Sequence, residues 1–228
     1  VEEAALSARD LVFASIRSSL GVDGHEAPRR KVVTDRLREH PTGVVPARGH
    51  LAPDRRVDLF ADMATAAAGS VTRVNAAADV PKAIAEFLRR HNLSPTVRRG
   101  EDARLAALPW EREKTLEVTL GPSDGHQLAS VSHAFGAVAE TGTLVLTSGA
   151  DNPTTLNFLP DNHIVVVDAK DIAADFESVF AQLRARYGER QLPRVVNMIT
   201  GPSRSADIEQ TLILGAHGPR RLHIIICD

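Results

Sequence analysis

The chain has 228 residues, 27 basic against 29 acidic for a net charge of −2, and is 43% hydrophobic and 25% charged, the make-up of an ordinary globular protein. At roughly 100–200 residues per domain, this length fits one large domain or one domain with an appendage. Near-neutral charge and 4% aromatics exclude a nucleic-acid binder that works through a basic field and stacking rings, and the longest apolar runs fall far short of the ~18 residues a membrane span needs.

Leu6 to Leu20 carries apolar residues at Leu6, Leu11, Val12, Ile16 and Leu20 and stops at Gly21, which predicts an amphipathic helix. From Val22 to Pro53, glycines and prolines are interleaved with charge, the pattern of a linker or loosely ordered arm. The expected organisation is therefore a helix and arm over 1–52 and a compact domain over 53–228. Within the domain, Val57 to Ala68 reads as a helix, Val71 to Val74 as a strand, and Asp79 with Pro81 opens a helix through His91. Thr96 to Arg99 and Leu116 to Leu120 read as strands and Gln127 to Phe135 as helical; two strands, Ala137 to Ala139 and Thr143 to Thr147, flank a turn at Glu140-Thr141-Gly142. Ile164 to Val167 is a β-branched run suited to a strand buried on both faces. A helix over Ile172 to Tyr187, a strand over Val195 to Thr200, a helix over Ala206 to Leu214 and a last strand over Leu222 to Cys227 complete the pattern. Strands alternating with helices imply an α/β fold with a mainly parallel sheet flanked by helices.

Charge is scarce between Gly125 and Ala150, where Glu140 is the only Asp, Glu, Lys or Arg in 26 residues, against about six at the chain's own average. A carboxylate in such surroundings needs hydrogen-bond partners or a raised pKa, so Glu140 is a catalytic candidate, with Thr141, Gly142 and Thr143 supplying hydroxyls and a flexible turn. A second candidate runs from Thr200 to Glu209, from a strand end into the expected helix. Its loop would offer backbone N–H groups, Gly201, Ser203, Arg204 and Ser205 to an anion, with Ser205 equally suited to N-cap the helix and Asp207 and Glu209 to complement its dipole. The third is the Gly215 to Arg220 connection, which presents His217 as a general base or anion ligand.

Walker, G-x-G-x-x-G, G-x-S-x-G and H-E-x-x-H patterns are missing, and nine histidines without ligand spacing give no metal site. The single cysteine, Cys227, excludes a self-contained iron–sulfur cluster or zinc ribbon, so any redox chemistry must be borrowed from a partner or a bound cofactor. Glu2 and Glu3 stand where a secretory signal would be basic, which makes the cytoplasm the default location. His163 reads as a strand-end residue.

Four stretches occur together and in order: Ala139-Glu140-Thr141-Gly142-Thr143-Leu144-Val145-Leu146, Leu159-Pro160-Asp161-Asn162-His163-Ile164-Val165-Val166-Val167, Gly201-Pro202-Ser203-Arg204-Ser205-Ala206-Asp207-Ile208-Glu209 and Gly215-Ala216-His217-Gly218-Pro219-Arg220. Together they resemble the signature of the LutC/YkgG family, lactate-utilisation proteins of the LUD domain type, with Ser205 in place of an expected threonine. The resemblance implies a fold similar to the NagB/RpiA/CoA transferase-like superfamily, with an N-terminal helical extension. It also implies a role beside iron–sulfur partner proteins in oxidising L-lactate to pyruvate, the clusters residing in those partners and no cofactor in this chain. In CoA transferases of that superfamily a glutamate is the nucleophile, and Glu140 lies on a comparable strand-turn-strand element. On this reading Gly201 to Ser205, Arg204 among them, hold a small organic acid or other anion while His217 or Glu140 takes a proton. Two alternatives stand beside it: a non-catalytic organic-acid-binding or assembly module, and a stand-alone CoA transferase or sugar phosphate isomerase-like enzyme. The N-terminal helix can pack on its own domain or reach a second copy, which leaves a homo-oligomer open.

Overall fold

The computed structural model of the chain describes residues 7–188, 191–206 and 212–228. Its contacts divide the chain into two units, Val1–Val44 and Val45–Asp228. In the first, helix α1 (Ala8–Leu20) starts where the Ser7 hydroxyl accepts the Asp10 N–H and stops at Gly21, whose φ of +63° suits glycine. The expected arm instead contains a second helix, α2 (Ala27–Glu39). Its only helix breaker, Pro28, lies in the first turn, where no N–H is needed, and Lys31–Asp35 pairs along its face.

The second unit runs α3 (Pro53–Ala66), β1 (Ser70–Val74), α4 (Val80–Arg90), β2 (Thr96–Arg99), α5 (Ala103–Ala106), β3 (Glu117–Leu120), β4 (Ala129–His133), β5 (Gly136–Val138) and β6 (Thr143–Thr147). It continues α6 (Thr154–Phe158), β7 (Asn162–Asp168), β8 (Ile172–Ala173), α7 (Phe176–Tyr187), β9 (Val196–Ile199), β10 (Arg204–Ala206), β11 (Leu212–Leu214) and β12 (Arg221–Cys227). Six strands form a parallel sheet in the order β1-β12-β7-β4-β2-β3, as the alternating pattern requires. A second sheet, β8-β5-β6-β9, packs on one face of it.

Alternation along the central strands assigns the layers. Ile164, Val166, Ile225 and Cys227 face α4, whose Val80, Ile84, Phe87 and Leu88 form one helical stripe. Val165, Val167, Ile224 and Ile226 face α3, through Val57, Phe60 and Ala64, and the second sheet, through Leu144 and Leu146. Val138, Val145 and Ala173 on the far side of that sheet bury Val179 and Leu183 of α7. Buried on both faces, each Ile and Val of β7 contributes about 2 kcal/mol of transfer free energy, which fixes the centre of the fold.

Two expected helices are corrected. Gln127 to Phe135 contains the strand β4, because its polar residues have partners that make a fully buried strand affordable: Ser130 donates to the Leu156 carbonyl at 2.6 Å and Ser132 to Asn157 Oδ1 at 3.1 Å. Around Ala206 to Leu214, β10 and β11 pair antiparallel, Ser205 opposite Ile213, so Ser205 is a ladder residue and caps no helix. Asp207 and Glu209 lie outside the described residues. The expected helix over Ile172 to Tyr187 begins four residues later, because Ile172 and Ala173 pair with β5 and Asp175 caps α7 by accepting the Ser178 N–H at 2.8 Å.

Candidate functional site

A cavity of about 290 Å³ opens at the amino ends of β7 and β12. Its walls are the loop after β9 (Thr200 to Arg204) and the connection before β12 (His217 to Pro219), and its floor is Asn157, His163 and Leu222. The loops are interlocked: Ser203 N–H donates to the Pro219 carbonyl at 2.9 Å and Gly215 N–H to the Ser203 carbonyl at 3.0 Å. Gly201 has a φ of +73°, and a Cβ there would lie 2.1 Å from the Ala67 carbonyl oxygen, so only glycine permits this approach to the end of α3. The Arg204 guanidinium donates to the same carbonyl. Both fasten the loop to α3 and set its position over the cavity.

Beneath the cavity runs a buried polar chain. His163, fully buried, places Nε2 3.1 Å from Ser132 Oγ, which is in turn 3.1 Å from Asn157 Oδ1. Burial pushes the His163 pKa down to about 3, so the ring is neutral at physiological pH. With Ser132 donating to Asn157 Oδ1, His163 Nε2–H donates to Ser132; His163 Nδ1 is then a bare acceptor and Asn157 Nδ2 a donor, and neither atom has a hydrogen-bond partner. Turning the amide over reverses every bond and leaves His163 Nδ1–H as donor and Asn157 oxygen as acceptor. Either way, the floor of the cavity carries one unmet donor and one unmet acceptor, each costing about 1–3 kcal/mol.

The structure brings Gly201, Ser203, Arg204 and His217 together around this cavity. Thr143 reaches it indirectly: Thr141 Oγ1 lies 2.7 Å from Thr143 Oγ1, itself 2.7 Å from Thr200 Oγ1 on the cavity wall. Gly142 turns the chain at φ +66° against α3, where a Cβ would come within 2.4 Å of the Ala64 nitrogen. Glu140 does not line the cavity. It is buried beside the turn Ala47–Gly49, with Oε2 lacking a hydrogen bond and Arg48 Nε 3.9 Å away. Sequence reasoning missed His163 and Asn157 as site residues. The signal for His163 was a histidine opening an otherwise aliphatic buried strand; Asn157 had none.

A parallel α/β domain with a polar cavity roofed by two interlocked loops is a small-ligand binding fold in its geometry. The chain belongs to the LUD domain family, whose model matches residues 57–227. It is 34% identical over 104 residues to lactate utilization protein C of Shouchella clausii, covering 45% of each chain. To the protein of that name from Geobacillus thermodenitrificans it is 35% identical over 129 residues, 52% of this chain and 54% of the relative. The matches thus span about half the length of these curated relatives. Among solved structures it is similar to a DUF162 family protein from Deinococcus radiodurans, with a TM-score of 0.55 and 25% identity over 78% of this chain and 99% of that one. Among the described residues no helix is long and apolar enough to cross a membrane, and no group of three or more His, Cys, Asp or Glu is placed to hold a metal ion. With a single, buried cysteine the chain does not fit a four-thiolate cluster.

Proposed function

We propose that this chain is a lactate-utilisation subunit that holds a small 2-hydroxy acid in the cavity between the Thr200–Arg204 loop and His217. The carrying observation is the unmet donor–acceptor pair of His163 and Asn157, because a hydroxyl group alone among the parts of such an acid both gives and takes a hydrogen bond. Ser203, Arg204 and the backbone of their loop are the partners for the carboxylate. His217, on the opposite wall, is the candidate to take the hydroxyl proton. The names of the relatives support the substrate class.

Conversion to the 2-oxo acid removes two electrons and two protons, and nothing in this chain's donor set stores electrons. The electrons go to iron–sulfur partner proteins, the hydroxyl proton to His217 and the C2 proton to solvent, while this chain binds and orients the acid. The unpaired atoms of the floor are closed to solvent in the free chain, so binding requires a local rearrangement around them. That cost lowers the apparent affinity. Calorimetric titration of L-lactate into wild type and Asn157→Leu tests the reading. Binding by wild type with at least a tenfold loss in the variant supports it, and equal affinity refutes it.

A further inference from the structure

A second cavity, about 330 Å³, opens at the amino rim of the sheet, where β1 and β12 begin and α4 ends. Arg220 and Arg221 stand on its wall with Ser70 and His91, while Ala68, Pro202 and Leu222 give it an apolar side. It shares Pro202 and Leu222 with the hydroxy-acid cavity, but the polar residues of the two are different.

The fold gathers cations here and leaves them unmatched. Arg221 and His223 lie two residues apart on β12 and so project from the same face, the one that α4 covers. There His223 stacks on Phe87 with ring centres 4.4 Å apart, and Phe87 meets His91 at 4.7 Å, which brings the end of α4 beside the start of β12. Arg221 is oriented by a neutral group, Asn162 Oδ1, which accepts from Nη1 at 3.3 Å. Arg220 lies across Gly215, at φ +85°, where a Cβ would come within 2.0 Å of Arg220 Cγ; only glycine makes room for that stem. Arg89 and Arg90, in the last turn of α4, already match the negative end of the helix dipole, so Arg220 and Arg221 are charge in excess of it. Among the described residues no carboxylate forms an ion pair with Arg90, Arg220 or Arg221. The titration of His91 agrees: burial first, then the charges of Arg221 and Arg90, lower its pKa, and no carboxylate acts against them.

We propose that this cavity is a second ligand site that takes the phosphate group of a small phosphomonoester between the guanidinium groups of Arg220 and Arg221, beside His91, with the carbon part of the ester against Pro202 and Leu222. An ester phosphate carries a charge of about −1.5 to −2 at pH 7 and offers oxygen acceptors that two guanidinium forks match; a carboxylate carries about half that charge. The volume lies at the lower end of the roughly 300–1,000 Å³ of small-ligand pockets, which suits a small molecule.

Three small molecules isolate the phosphate: glycerol 3-phosphate, glycerol and acetate. Each is titrated at pH 7 and constant ionic strength into the full chain with 15N-labelled histidine, while the imidazole signals of His91 are followed. Glycerol 3-phosphate shifts them saturably and moves the His91 titration to higher pH, because a dianion then offsets the two arginine charges that lower it. Glycerol and acetate act at least tenfold more weakly. Arg220→Met and Arg221→Met keep the side-chain stems and each lower the glycerol 3-phosphate affinity at least tenfold, whereas Lys170→Met, beyond the carboxyl end of β7, leaves it unchanged. No response of His91 to glycerol 3-phosphate, an equal response to acetate, unchanged affinity in either arginine variant, or an equal loss in Lys170→Met overturns the proposal.

Discussion

Replacing Asn157 by leucine removes a polar side chain that is fully buried and half satisfied. In wild type the side chain keeps one hydrogen bond, with Ser132 at 3.1 Å, and leaves Nδ2 unpaired. Leucine is close to asparagine in length and apolar, so the substitution gives up one neutral bond, worth about 1 kcal/mol, and removes an orphan donor costing about 1–3 kcal/mol. Ser132 then turns its O–H to His163 Nε2, and one unpaired atom remains in place of two. The expected net change lies between 0 and about +2 kcal/mol, a rise in melting temperature of up to several degrees at this chain length. Ligand binding is expected to fall at least tenfold in the same variant, the signature of a polar group retained for function at the expense of stability. Thermal and urea unfolding at pH 7.5 measures the first quantity and calorimetry with L-lactate the second. Loss of more than about 2 kcal/mol together with intact lactate binding would refute the reasoning, since it would make Asn157 a structural residue only.

The buried histidines make stability depend on pH. His163 and His223 have folded pKa values of about 3 and about 4, below the ordinary 6.5, so the unfolded chain binds protons first and stability falls as pH drops below 6.5. At pH 5 each contributes a loss of about 2 kcal/mol relative to pH 7.5, about 4 together, a drop that denaturant titrations at the two pH values detect; a flat profile contradicts the neutral assignment. Gly201→Ala places a methyl 2.1 Å from a backbone oxygen at positive φ and is expected to cost about 3 kcal/mol or more, read by thermal unfolding. Arg204→Met removes the loop's bond to the Ala67 carbonyl as well as a carboxylate partner, and is expected to weaken L-lactate about tenfold and to cost about 1.5–3 kcal/mol, read by calorimetry and thermal unfolding.

What was legible in the sequence is what local pattern dictates. The aliphatic runs of β7 and β12 announce a sheet buried on both faces, and Pro81 followed by an apolar stripe announces α4. Strand β4 was illegible because its serines look like solvent-facing positions; only the carbonyl and amide supplied by α6, twenty-five residues onward, make them interior. The β10–β11 hairpin was hidden for a related reason, since a short run of Leu and Ile suits either helix or strand until its partner is known. At the site, loop residues Gly201, Ser203, Arg204 and His217 came from turn chemistry and from family resemblance and do meet around one cavity. The floor did not come from the sequence. His163 owes its role to Ser132 on the neighbouring strand and to Asn157 on a helix of five residues, a conjunction that exists only in three dimensions.

The most direct test of the central claim compares L-lactate with propionate, which has the same carboxylate and methyl end but no 2-hydroxyl, while the imidazole nitrogens of His163 are followed by NMR. The hydroxyl reading predicts a saturable shift of the His163 Nδ1 signal with L-lactate and a response at least tenfold weaker with propionate. An equal response to both acids, or none to either, would contradict it.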